Sequence, residues 1–186
     1  DIKRRIQASP YKNIEIQKLR LFIEEKLEEL LRENTTRISF SERYKTIIDK
    51  YNAGNSTNEN YYEELIKFLK DLKEEDERHI KENLTKEELE LFDLLKKDKL
   101  TKKEEKEVKL SAKKLFEAIK SKDSEIKVVD WYKDEQPRQR FRSKIEEILD
   151  EFLPKSYGRK IFNNKTERVF AHIIEGAMTG RQYYAS

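Results

Sequence analysis

Cysteine and glycine are scarce in this chain, and their scarcity excludes several kinds of site. None of the 186 residues is cysteine, so the chain cannot form disulfides, thiolate metal sites or a cysteine nucleophile. Only four residues are glycine, and the 103 residues between Gly54 and Gly158 contain none. Without clustered glycines the chain cannot form a P-loop or a dinucleotide-binding loop. Because tight hairpin turns depend on Gly or Asn, the composition also disfavours a β-sandwich or barrel.

Long apolar runs and a one-sided charge are also missing. No apolar run approaches the roughly 18 residues that a membrane span requires. The 41 basic and 38 acidic residues give a net charge of only +3, which provides no general attraction to nucleic acid or to an anionic membrane. Leu, Ile, Val and Phe make up 48 residues, enough for a folded core. Since a cysteine-free chain also fits a reducing compartment, we expect a cytoplasmic protein with no membrane partner.

The apolar residues recur at helical spacing. Between about residues 13 and 33, a stripe spaced by three or four residues predicts an amphipathic helix. Capping boxes predict three further helix starts, at Ser39 with Glu42, at Thr85 with Glu88, and at Thr101 with Glu104. These patterns predict helices in succession along the chain.

Three more segments complete the predicted fold. A helix from Asn58 to Asn83 should have a solvated second half, since Lys73 to His79 contains no apolar residue. The run Ile126 to Val129 is the one β-like stretch, and Pro137 should occupy the first position of the helix that follows. The predicted fold is all-α: an irregular bundle of about six to eight helices, with one long, partly solvated helix and at most a very short β segment.

Side chains capable of catalysis do not form a recognisable constellation. The two histidines, His79 and His172, are 93 positions apart, and neither belongs to a metal-ligand spacing. Acidic pairs are frequent, but they fall on predicted exposed helix faces, whereas a metal-dependent nuclease holds its acids on a rigid, sheltered frame. We therefore expect no catalytic residue, no metal site and no bound cofactor in this chain.

A basic and aromatic segment between residues 131 and 160 is the candidate for binding a partner. Arg, Trp and Tyr dominate the energetics of protein interfaces. Two alternatives remain open: acidic neighbours Asp134, Glu135, Glu146 and Glu147 could neutralise the arginines, and the single tryptophan could fill the core. The candidate partner-binding residues are Trp131, Tyr132, Arg138, Arg140, Arg142, Tyr157, Arg159 and Lys160.

Several motifs, in one consistent order, resemble the C-terminal region of type I restriction enzyme R subunits (HsdR). They are NTTRISF with ERY at residues 34–44, LTKEELELFD at 84–93 and VDWY at 129–132. The stretch from Arg138 through IEEILD to Leu153, Pro154 and Tyr157 is similar as well. The resemblance spans about residues 13–175.

The resemblance implies a place within a larger enzyme. Such R subunits join a nuclease domain, two ATP- and Mg²⁺-dependent motor domains and a helical C-terminal domain, and the whole subunit is a site-specific deoxyribonuclease and DNA translocase. The helical domain resembles the part that docks on the methyltransferase core. On this basis residues 1–12 would be a linker from the upstream motor part, residues 13–176 the helical domain and residues 177–186 a loose tail.

The same resemblance sets the expected partners. They are the methyltransferase and specificity subunits in a bacterial or archaeal cytoplasm, with DNA bound through the whole complex. No catalytic residue carries over, because the P-loop, the Asp-Glu box and the nuclease motif are absent from this sequence.

Two functions from different classes follow. The first is a non-catalytic docking module, for which replacing Arg138 and Arg142 together by Ala should weaken assembly. The second is a helical nucleic-acid-binding domain that contacts DNA through Arg138, Arg140, Arg142, Arg159 and Lys160. A salt titration separates them, because phosphate contacts make DNA affinity fall steeply with salt.

Overall fold

Helices are the only regular secondary structure in the described part of the chain. A computed structural model describes residues 12–181 and residue 184. It is 78% helical and contains no strand over these residues, which confirms the all-α prediction. The helices are α1 (Lys12–Glu33), α2 (Ile38–Asn52), α3 (Asn58–Asp76), α4 (Arg78–Lys81), α5 (Lys86–Leu95), α6 (Lys102–Lys120), α7 (Glu135–Phe152) and α8 (Arg159–Met178), with short 3₁₀ helices at Thr35–Arg37 and Glu125–Lys127.

The chain divides into two compact units, the first ending at Asn83 and the second beginning at Leu84. Each unit has its own apolar core, and the two cores share no residue. The sequence did not predict this division. The predicted domain boundaries stay predictions, and residues 1–11 of the predicted linker lie outside the described residues.

In the first unit, α1 buries its predicted stripe, and the entry to α2 differs from the prediction. Asn34 caps the 3₁₀ helix, with its Oδ1 accepting a hydrogen bond from the Thr36 amide at 3.0 Å. The chain continues directly into α2 at Ile38 with no side-chain cap. The predicted Ser39 capping box is therefore wrong, because the capped turn already lies five residues earlier.

Helix α3 ends at Asp76, not at Asn83, and the one-turn helix α4 follows. The predicted solvated arm is held by ion pairs instead. Glu75 has 11% of its side chain exposed and accepts hydrogen bonds from Arg37 Nε at 2.9 Å and from Arg78 Nε at 2.8 Å. The lack of apolar residues from Lys73 to His79 predicts the solvated arm, whereas the sequence does not reveal that Glu75 pairs with Arg37, 38 positions earlier.

In the second unit, the two other predicted capping boxes are present. The Thr85 hydroxyl accepts from the Glu88 amide and the Glu88 carboxylate accepts from the Thr85 amide, at 3.2 and 2.9 Å. Thr101 and Glu104 make the same pair of bonds at 3.2 and 2.7 Å. Between these caps, every residue from 89 to 95 is buried, so α5 lies in the centre of its unit.

The last two helices form an antiparallel hairpin. They are joined by residues 153–158, and Arg142 of α7 pairs with Glu167 of α8 and lies 5.7 Å from the centre of the Phe170 ring. The β-like run before α7 forms the 3₁₀ helix Glu125–Lys127 instead of a strand. Pro137 is the third residue of α7, not the first, because the helix begins at Glu135. Among the described helices, none is long and apolar enough to cross a membrane.

Candidate nucleic-acid and protein interface

The predicted partner-binding residues lie at two ends of the second unit. Because α7 and α8 are antiparallel, Arg138 near the start of α7 is far from Arg159 and Lys160 at the start of α8. The 14 residues from Arg138 to the end of α7 correspond to a rise of about 21 Å. The predicted set is therefore not one continuous surface.

Two of the predicted residues are buried in the core. Trp131 has no exposed surface, packs edge-on against Phe141 with ring centres 5.1 Å apart, and donates its indole N–H to the Tyr184 carbonyl at 3.1 Å. Tyr157 donates its hydroxyl to the Leu95 carbonyl at 3.0 Å, and burial raises its pKa to about 12. Both side chains stabilise the fold, so we do not include them in a docking surface.

Two of the predicted arginines are paired with carboxylates. Arg140 makes a bidentate contact with Glu125 at 2.7 and 3.0 Å, which lowers the pKa of that carboxyl. Arg142 donates to Glu146 at 3.2 Å and also pairs with Glu167. Neutralisation by acidic neighbours is thus correct for Arg142 and Glu146, whereas the partners Glu125 and Glu167 come from other elements and were not predicted.

Exposed apolar and basic side chains lie close together in the sequence around the start of α7. Val129 is 75% exposed and Val128 49% exposed in the loop between the second 3₁₀ helix and α7. Asp130 beside them has φ of +57°, an uncommon conformation for a residue with a side chain. We define the valine surface as Val128, Val129, Tyr132, Arg138 and Arg140; Tyr132 is half-buried and the two arginines are exposed.

The valine surface was only partly predicted. The sequence predicts Tyr132, Arg138 and Arg140 as partner-binding residues but places the two valines in a β-like run. The signal that could have revealed the two valines was a pair of adjacent apolar residues in a segment with no predicted strand to pair with. In a chain without strands over the described residues, such a pair has no sheet to pack in.

Comparison with protein families identifies the chain. Residues 1–177 match the family described as type I restriction enzyme HindI endonuclease subunit-like, C-terminal. The chain belongs to this family. The resemblance inferred from the sequence is therefore confirmed at the level of a type I restriction enzyme subunit. Searches of curated proteins and of solved structures gave no match.

The described residues of this restriction-enzyme domain contain no group of three or more His, Cys, Asp or Glu side chains that could hold a metal ion. His79 is half-buried, with Nδ1 2.8 Å from the Asp76 carbonyl oxygen. His172 is buried, and its Nε2 lies 3.4 Å from Glu90 Oε2. The two histidines thus belong to different units of the domain.

The family match ends at residue 177, before Arg181 and Tyr184, which pack against other residues of the second unit. Arg181 makes a bidentate contact with Glu90 at 3.1 and 2.8 Å, and Tyr184 is buried beside His172 with ring centres 5.6 Å apart. Residues 181 and 184 therefore differ from the predicted loose tail. No sequence pattern predicts this contact, because Glu90 lies 91 positions before Arg181. Residues 182, 183, 185 and 186 lie outside the described residues.

Proposed function

We propose that this chain is a non-catalytic docking module of a type I restriction endonuclease R subunit and binds the methyltransferase core. The observation that carries the proposal is the valine surface. Family membership supports a place in a type I restriction-modification complex. Within that complex, one subunit moves along DNA and cuts it, and other subunits recognise and methylate the DNA. The module would attach the first of these to the others.

The composition of the valine surface fits a protein interface. Interfaces are enriched in aromatic residues and Arg around a desolvated apolar centre. In the proposed surface the two exposed valines would form the apolar centre, and Tyr132 and the two arginines would form its border. Burying apolar surface against a partner would contribute about 25 cal/mol per Å² before the costs of association.

The valine surface is also held in place before a partner binds. Trp131 anchors the loop from below through its hydrogen bond to the Tyr184 carbonyl, and Arg140 ties the start of α7 to Glu125 of the 3₁₀ helix. A preorganised surface loses less conformational entropy on association. This arrangement favours docking over a role as a flexible connection.

The remaining parts of the proposal concern partners and cofactors. The methyltransferase and specificity subunits would contact this chain in the cytoplasm, and DNA would be bound by the whole complex. ATP and Mg²⁺ would be bound by the motor part of the subunit, and this chain would bind neither. No catalytic residue is assigned within it.

The test compares Val129→Glu with a matched control, Ile80→Glu. Both positions carry a largely exposed aliphatic side chain, at 75% and 69% exposure, but Ile80 lies in the first unit. We expect V129E to weaken binding to the purified methyltransferase core at least tenfold, which is about 1.4 kcal/mol, while I80E leaves it unchanged. Isothermal titration calorimetry measures the affinity, and both variants should keep the wild-type melting temperature.

Two outcomes would contradict the valine surface as the docking site. One is unchanged affinity of V129E, and the other is an equal loss in both variants. The pair Arg138 and Arg142 is a poorer probe, because Arg142 packs over Phe170 and its loss would also affect the fold. Arg138→Ala alone is the appropriate arginine variant.

A further inference from the structure

The opposite end of the α7–α8 hairpin concentrates positive charge. Residues 96–106 contain six basic and three acidic side chains. Residues 155–168 contain five basic side chains and one acidic side chain. The two segments together therefore carry a net charge of +7, although the whole chain carries only +3. The near balance of the whole chain conceals this asymmetry.

Direct contacts join the two segments. Lys165 of α8 donates to the carbonyl oxygens of Leu94 and Lys96 at 3.0 and 2.6 Å, so it fixes the loop after α5 to α8. Lys97 donates to Ser156 at 3.2 Å and to Glu104 at 2.7 Å. The α5–α6 loop, the start of α6 and the α7–α8 connection thus meet in one place.

Most cations of these segments face solvent without a carboxylate partner. Lys97 and Lys103 pair with Glu104 and Glu107, and Lys96 pairs with Asp93. The first turn of α8 contains no acidic residue that could neutralise its two cations. We define the basic end as six exposed cations that form no ion pair within the described residues: Lys99, Lys102, Lys106, Lys155, Arg159 and Lys160. Arg168, which is also exposed, lies farther along α8 and is not included.

We propose that the basic end binds the phosphate backbone of duplex DNA without reading its sequence. Its six unpaired cations come from the α5–α6 loop, α6, the α7–α8 connection and the start of α8. They present the kind of surface that releases counterions from DNA. The contacts of Lys97 and Lys165 hold those elements together, so the cations do not need to be gathered when DNA arrives. This site goes beyond the docking function and lies at the other end of the hairpin from the valine surface.

Lysine content separates DNA from an acidic protein as the occupant. Five of the six cations are lysines, which are depleted at protein interfaces, whereas a lysine ammonium group is a good point-charge partner for a phosphate. The valine surface differs, because two exposed valines and a tyrosine accompany its two arginines. The two ends of the second unit are therefore suited to different classes of partner.

The test measures affinity for a short mixed-sequence duplex over a series of salt concentrations, using the full chain and fluorescence anisotropy. The basic-end variant replaces Lys99, Lys155, Arg159 and Lys160 by Gln. The control variant removes the same charge elsewhere in the second unit, by replacing Lys122, Lys127, Arg138 and Lys144 by Gln. All eight positions are exposed.

For the wild type we expect the logarithm of the binding constant to fall linearly with the logarithm of salt concentration. In the basic-end variant the slope should decrease in magnitude by about 3–4, since each lost phosphate contact removes about 0.9. Its affinity at low salt should fall at least tenfold. The control variant should change the slope by less than about 1, and V129E should bind DNA like the wild type.

Three results would overturn the proposal. The first is a wild-type chain without salt-dependent DNA binding, and the second is an equal loss in the basic-end and control variants, which would indicate a net-charge effect. The third is a basic-end variant that keeps DNA affinity but no longer binds the methyltransferase core, which would make the occupant a protein. Since the docking test uses a different variant and a different ligand, either proposal can fail without the other.

Discussion

At the residue scale, Glu90 carries an important buried charge. Only 2% of its side chain is exposed, and burial alone would raise its pKa. Hydrogen bonds involving His172 and Arg181 outweigh this effect and lower the pKa to about 2. The pKa of Glu90 is therefore lower in the folded protein than in the unfolded chain. Its contribution to the free energy of unfolding is fully present above the unfolded-state pKa and is lost as the pH falls towards the folded-state pKa.

Glu90→Gln should therefore destabilise the second unit and make its stability less dependent on pH in the acid range. We expect a loss of about 3 kcal/mol near neutral pH, because the variant cannot pair with Arg181. Near pH 3 the difference from the wild type should shrink, because Glu90 is then protonated in the unfolded chain while it is still ionised in the folded protein. Urea unfolding, monitored by the fluorescence of Trp131, the single tryptophan of the chain, measures the free energy of unfolding at each pH. The exposed control Glu151→Gln should behave like the wild type; equal stability of E90Q and wild type at neutral pH would refute the prediction.

Gly176 sets a second residue-scale test, because a methyl group there would overlap the ring of Tyr184. Gly176→Ala should displace that ring, break the Trp131–Tyr184 hydrogen bond and cost about 1–3 kcal/mol. Trp131 fluorescence should shift to the red as water reaches the indole. Gly158→Ala is the control, since a methyl group there meets no atom within 4 Å and should change stability by no more than about 0.5 kcal/mol. Unchanged fluorescence in G176A would show that Tyr184 does not pack there.

At the scale of elements, the capping boxes determine where α5 and α6 begin. Thr101→Ala removes the acceptor of the Glu104 amide, so we expect a loss of about 1 kcal/mol in the free energy of unfolding. Ser143→Ala, at an exposed position within α7, should be neutral or slightly stabilising because Ala favours helix. Chemical denaturation compares the two. A Thr101→Ala variant as stable as Ser143→Ala would mean that the box does not stabilise α6.

These elements also show which features can be predicted from sequence. The starts of α5 and α6 were predicted because their capping partners are three residues apart, within the range that a sequence pattern reveals. The end of α3 was not predicted, since Glu75 is held by Arg37 from a different helix. The contact of Arg181 with Glu90 and the pairing of Arg140 with Glu125 were missed for the same reason. Apolar periodicity predicted the α1 stripe and the burial of Phe141, but not which charges meet across the fold.

At the scale of the whole molecule, two separate cores predict two units that can fold separately. The core of the second unit draws on α5 to α8, the second 3₁₀ helix and Tyr184, and on no residue before Leu84. We expect residues 84–186 expressed alone to give a helical circular dichroism spectrum and a cooperative melt with a buried Trp131. A matching fragment of residues 1–83 is the companion sample. If residues 84–186 fold only when residues 1–83 are added, the two units depend on each other for stability.

The second unit combines the two proposed interactions at opposite ends of one helical hairpin. The valine surface would hold the methyltransferase core, and the basic end would hold the DNA backbone. The length of α7, 18 residues or about 27 Å, separates the two ends. Because both surfaces belong to one compact unit, the module would fix the distance between a protein partner and DNA.

The docking proposal is tested most directly by sedimentation velocity of the chain mixed with the methyltransferase core of its own restriction system. At micromolar concentrations we predict a single faster-sedimenting species that contains both components, and its loss with V129E but not with I80E. Two species that sediment at the rates of the separate components, at every concentration up to tens of micromolar, would contradict the claim that this chain is a docking module.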